Sequence, residues 1–145
     1  IVFGDIAMTY QKILVITTLF VTFAVLPAES QDQQSIQNGI YSAAQANQGS
    51  KLFASVCSEC HQEDEFSSAG YLDSWTGAPV AEFMDLIQMT MPEDNPGSLR
   101  NAEYAAIIAY FFELNGIPMG DTEMDSDIAA LEDVVIEGPY VEGGR

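Results

Sequence analysis

Five consecutive residues carry the most specific chemistry in this chain: Cys57-Ser58-Glu59-Cys60-His61. Two thiols three positions apart, followed at once by an imidazole, form the attachment signature of haem c. The spacing has a chemical reason. Each thiol adds across one vinyl group of a single porphyrin, and the adjacent imidazole then faces the iron as its proximal ligand. Cys57 and Cys60 are the only cysteines and His61 is the only histidine. One covalently attached haem per chain is therefore expected, with His61 as its only imidazole donor. Two competing readings fit less well. A thioredoxin-type redox pair follows a strand in a βαβ unit, and no such pattern surrounds these residues. A structural zinc site needs four ligands, and no further thiol or imidazole exists to complete the three offered here.

An electron-carrying haem iron needs a sixth ligand, and a thioether is the natural donor where no second imidazole exists. Six methionines are present. Met8 falls in an expected leader, Met84 on the inner face of a helix, and Met119 and Met124 beyond the last strong element. Met89 and Met91 remain. Met91 is favoured because Pro92 restrains the residue before it to extended conformations, which would hold the sulfur on an irregular segment. Met89 would still be helical and stays the alternative. Core filling is the usual employment of methionine, but the need for a sixth ligand outweighs it here.

The elements that must position these residues read as helices. Residues 43–56 combine alanines with an apolar stripe, Leu52, Phe53 and Val56. Gly49 costs about 1 kcal/mol there relative to Ala, which makes sense if another helix backbone crosses closely. Residues 61–74 read as a loop, and Trp75 to Pro79 as a turn before a second helix over residues 80–89. Residues 91–97 form a proline-rich loop. Tyr104, Ile107, Ile108 and Phe111 repeat at the spacing of an amphipathic helix over residues 101–114. Asn115-Gly116-Ile117-Pro118 then stops it. Residues 31–38 read as a flexible lead-in and residues 121–145 as an acidic tail. A short helix is expected within 128–135 and loose chain from Gly138. No repeats and no convincing strands are evident.

The N-terminus has the order of a secretory leader: a cationic start near Lys12, an apolar run from Ile13 to Leu26, and small residues at Ala28 and Ser30. Residues 1–30 are expected to leave by cleavage after Ser30, with Ala28 nearly as suitable, and residues 1–7 read as an extension ahead of a start at Met8. An uncleaved leader would anchor the chain to a membrane, although the apolar run falls short of the about 20 residues a span needs. Export agrees with the haem motif, because covalent haem attachment takes place on the outer side of an energy-transducing membrane. A periplasmic or otherwise exported location is expected.

Charge narrows the partners. Asp and Glu number 22 against 4 Lys and Arg, for a net charge of −18. Removing residues 1–30 takes away only Asp5, Glu29 and Lys12, so the remainder stays strongly acidic. Nucleic acid and anionic lipid surfaces are poor partners for such a charge. A redox protein with a basic docking patch fits instead, and solubility in a saline habitat would account equally for the composition.

Read together, these motifs resemble class I cytochromes c, and more narrowly the small haem-c subunits and domains associated with quinoprotein alcohol dehydrogenases. The resemblance runs from Gly39 to about Gly120. It is carried by Gly39 to Gly49, Leu52-Phe53 and the haem motif, by Trp75, Phe83, Leu86-Ile87 and Thr90-Met91-Pro92, and by Asn95 to Leu99, Glu103 to Ala105, Ala109 to Phe111 and Asn115 to Pro118. It implies a small all-α fold packed around one haem, over residues 39–120. It also implies that Gly49 and Phe53 cross Tyr110, that Phe53 is among the haem-binding residues, that Trp75 packs near the haem edge, and that Met91 ligates the iron. Two departures stand out. No proline follows the motif before Pro79, which leaves the partner of the His61 Nδ1–H open. Arg100 stands where an N-cap is usual, and Asn101 is expected to cap instead.

The function these observations imply is single-electron transfer, not enzymatic catalysis. A His/Met-ligated haem would accept electrons from a dehydrogenase and pass them to an oxidase or another cytochrome. A fixed subunit of a dehydrogenase complex is the alternative, with the acidic tail as a docking arm. A haem-based ligand sensor with a labile Met91 is a weaker one.

Overall fold

Ser42 starts the first helix. Its hydroxyl accepts the backbone N–H of Gln45 at 3.1 Å, which satisfies one of the free donors at a helix N-terminus. In the computed structural model, which describes residues 33–68 and 70–141, α1 then spans Ala43–Leu52. The leader expected in residues 1–30 lies outside the described residues. The chain continues into a wider helical turn, Phe53–Cys57, in which Ser58 N–H reaches the Phe53 carbonyl at 3.0 Å. Such five-residue turns recur at functional sites, and this one delivers the first cysteine.

The loop expected over residues 61–74 is corrected. A short helix, α2, occupies Glu63–Ser67, and a 3₁₀ turn occupies Leu72–Trp75. The acidic run that reads as a solvated loop instead supplies the first turn of α2 with Glu63, Asp64 and Glu65, where negative charge meets the positive end of the helix dipole. Phe66, the one large apolar residue of that run, anchors the turn inward.

Helix α3 spans Val80–Thr90 and buries Val80, Ala81, Phe83 and Met84. It ends where Met91 turns extended, at φ −128° and ψ 148°, as the following Pro92 requires. Helix α4 spans Asn101–Leu114. Its N-cap is Arg100 and not Asn101. The Glu103 carboxylate replaces a capping side chain by accepting the Arg100 backbone N–H at 2.8 Å and its guanidinium at 2.9 Å. Asn101 instead accepts the Gln88 side chain at 3.2 Å. Glu103 is held below its usual range, chiefly by the Arg100 side chain and then by that backbone N–H. Helix α4 is buried continuously from Tyr104 to Phe112, not on one face, because other segments surround it. Helix α1 crosses it so closely that a Cβ on Gly49 would lie 1.9 Å from the Ala106 carbonyl oxygen.

The expected flexible lead-in and loose tail are also corrected where they are described. Gln34–Ser35 forms β1 and Val134–Val135 forms β2, and the two pair in parallel. Ile36, Leu131, Val134 and Ile136 are buried. These apolar residues are too widely spaced for a long helix but sufficient to seal the flank of the core. Gln45, itself buried, donates to the Met124 carbonyl at 2.9 Å and accepts the Met124 N–H at 2.8 Å. Beyond Gly138, Val141 N–H reaches the Asn115 carbonyl at 2.8 Å. The fold is all-α apart from this two-residue ladder. No helix among the described residues is long and apolar enough to cross a membrane.

Candidate haem site

A cavity of about 1020 Å³ opens where the helical turn after α1, helix α3, the loop after α3 and helix α4 meet. That lies at the upper end of the range of about 300–1,000 Å³ for cofactor sites. Cys57, Cys60 and His61 line it, and so do Trp75 and Met91. The remaining wall is largely apolar, with Phe83, Ile87, Leu99, Ile107 and Phe111.

Phe53 is not on that wall. It packs one layer behind, with its ring 5.4 Å from Phe66 and 6.1 Å from Phe111, both of which line the cavity. Its ring also lies 5.9 Å from that of Tyr110, at the crossing of α1 and α4. Trp75 rests against Phe83 at 4.8 Å. Met89, still helical, is 69% exposed and stands outside the cavity.

Each backbone polar group of Met91 is engaged. Its N–H donates to the Ile87 carbonyl at 2.8 Å, and its carbonyl accepts the Tyr104 hydroxyl at 2.8 Å. With Pro92 next in the chain, the thioether is the one group of Met91 left to act. His61 is held as well. Its Nδ1 lies 3.1 Å from Glu65 Oε2, and its ring meets Phe66 edge-on at 5.5 Å. The Glu65 carboxyl sits below the usual range, first because the Gln62 backbone N–H binds it and then because His61 does. Both thiols are unpaired, with Cys57 half-buried and its thiol pushed up by burial.

These residues fit a haem c. Two free thiols three residues apart could form two thioether bonds, an imidazole and a thioether are available as donors to an iron, and the largely apolar walls suit a flat macrocycle. A bare metal ion suits the site poorly. Among the described residues no group of three or more His, Cys, Asp or Glu side chains is placed to hold one, whereas a porphyrin brings its own nitrogens.

Residues 44–111 match the family model described as cytochrome C oxidase, cbb3-type, subunit III. Residues 44–111 are in this respect similar to a c-type cytochrome domain. The chain's fold is the small all-α fold of that class, its cofactor is covalently bound haem c, and its role is electron transfer with redox protein partners and not catalysis. No curated protein and no solved structure matches the chain.

Sequence reasoning missed Glu65, Phe66, Tyr104 and Asn115. Glu65 stands four residues after His61, and the two meet because α2 starts directly after the motif, at Glu63. Phe66 stacks on Phe111 at 4.4 Å. The buried Asn115 side chain donates to the Phe66 carbonyl at 2.7 Å, so the end of α4 fixes the turn behind the motif. Nothing in the spacing of a lone asparagine announces that bond.

Proposed function

We propose that this cytochrome is a monohaem electron carrier with Cys57 and Cys60 as the attachment sites, His61 as the proximal ligand and Met91 as the sixth. One observation carries the reading: Cys57, Cys60, His61 and Met91 line one largely apolar cavity. Bound haem supplies one-electron redox chemistry at a potential raised by His/Met ligation. The protein's own residues orient the ligands and exclude water. Tyr104 and Ile87 hold the Met91 backbone, Glu65 and Phe66 hold the His61 ring, and Trp75 and Phe83 close the apolar wall.

Electrons would arrive from a dehydrogenase and leave to an oxidase or another cytochrome, on the exported side of a membrane. Docking would use the acidic surface against a basic patch. The similarity to an oxidase subunit family favours a second reading in which the chain is a fixed subunit of a larger oxidoreductase complex, a quinoprotein dehydrogenase among the candidates.

Redox titration and carbon monoxide addition test the first reading together. A reversible one-electron titration, with no carbon monoxide binding to the reduced protein at neutral pH, is expected. Ready binding would contradict the sixth ligand and favour a ligand sensor. Migration of haem-stained protein on a native gel separates carrier from subunit: a small species for the first, a large complex for the second.

A further inference from the structure

The turn after the haem motif fixes a carboxylate against the histidine. Glu65 Oε2 lies 3.1 Å from His61 Nδ1, and Oε1 accepts the Gln62 backbone N–H at 2.8 Å. Both oxygens are therefore oriented by α2 itself. An ionised carboxylate only accepts hydrogen bonds. The proton of the neutral ring consequently sits on Nδ1, and the lone pair on Nε2 is left for the iron. Phe66 braces the ring from its edge, and Asn115 braces the Phe66 backbone.

We propose that Glu65 is a positioning residue that holds the His61 ring through its Nδ1–H and sets the haem reduction potential below the value a neutral acceptor would give. This rests on His61 as the proximal ligand. A carboxylate partner raises the basicity of a ligating imidazole more than an amide or a backbone carbonyl does. A stronger donor favours the oxidised iron over the reduced iron. The redox step itself adds one electron and moves no proton.

The experiment uses the holoprotein with ¹⁵N-labelled histidine, which marks one ring because His61 is the only histidine. In the reduced wild-type protein, a ring Nδ1–H protected from water exchange is expected. In Glu65→Gln the amide oxygen can still accept, so the turn is retained while the charge is lost. At a fixed ambient potential its ratio of reduced to oxidised protein should rise about tenfold, equal to about 59 mV for one electron. Asp64→Asn removes the same charge one residue away and should change the ratio less than about threefold, about half that shift on the same scale. A fast-exchanging Nδ1–H in the wild type, or equal shifts in the two variants, would overturn the proposal. A His61 ring with no paramagnetic shift in the oxidised protein would instead overturn the ligation and the proposal with it.

Discussion

Met91 has no free backbone polar group, which restrains the segment that carries its sulfur. Tyr104 holds its carbonyl from α4. Removing that hydroxyl in Tyr104→Phe gives up a hydrogen bond worth about 0.5–1.5 kcal/mol net and loosens the segment that carries the sulfur. Carbon monoxide titration of the reduced variant should show partial binding where the wild type shows none. The extended backbone at Met91 was legible from Pro92 alone, because the proline restrains its predecessor whatever the tertiary contacts. The tyrosine that completes the restraint was not, since its partner is 13 residues away.

Tyr41 supplies a second test at this scale. It is fully buried, and its hydroxyl donates to the Ile117 carbonyl at 2.6 Å. Burial, then the nearby Glu113, pushes its phenol well above the ordinary 10.0. The folded chain keeps that proton when the unfolded chain releases it. The stabilisation is therefore complete below the ordinary value and declines as pH rises through and above it. Denaturant midpoints should fall between about pH 9 and about pH 11, and Tyr41→Phe should fall less steeply.

At the scale of elements, the crossing of α1 and α4 places the motif. Gly49→Ala sets two effects against each other. Helix propensity would gain about 1 kcal/mol, but a Cβ there lies 1.9 Å from a backbone carbonyl oxygen, and overpacking of this kind costs about 1–3 kcal/mol or more. The backbone clash wins, because neither helix can yield without moving the other. Chemical denaturation should show a lower midpoint and not a higher one. This crossing could be read from the sequence, since a glycine inside an otherwise good helix has few other reasons. α2 could not. Its acidic run has the composition of a solvated loop, and only the inward Phe66 and the reach of Glu65 back to Gln62 make it a helix.

For the whole molecule, the segments flanking the helical core are part of the fold. The Gln45 side chain pairs with both backbone polar groups of Met124. Gln45→Ala leaves those buried groups without partners, at about 1–3 kcal/mol for each orphan, and thermal or denaturant unfolding should report a loss of about 2 kcal/mol or more. A glutamine in the first turn of a helix gives no hint of this, because the contact spans 79 residues. The net charge of −18 acts at the same scale. Electron transfer with a native partner should slow as salt rises, because screening weakens attraction between exposed charges. A rate independent of salt would remove the docking role of the acidic surface.

Nuclear magnetic resonance of the reduced holoprotein with methyl-labelled methionine tests the sixth ligand directly. Ring current above a haem face shifts a coordinated methyl far upfield of every other. One such methyl is expected, lost in Met91→Ala and retained in Met89→Ala. A shifted methyl that persists without Met91, or none at all, would contradict the proposed ligand pair.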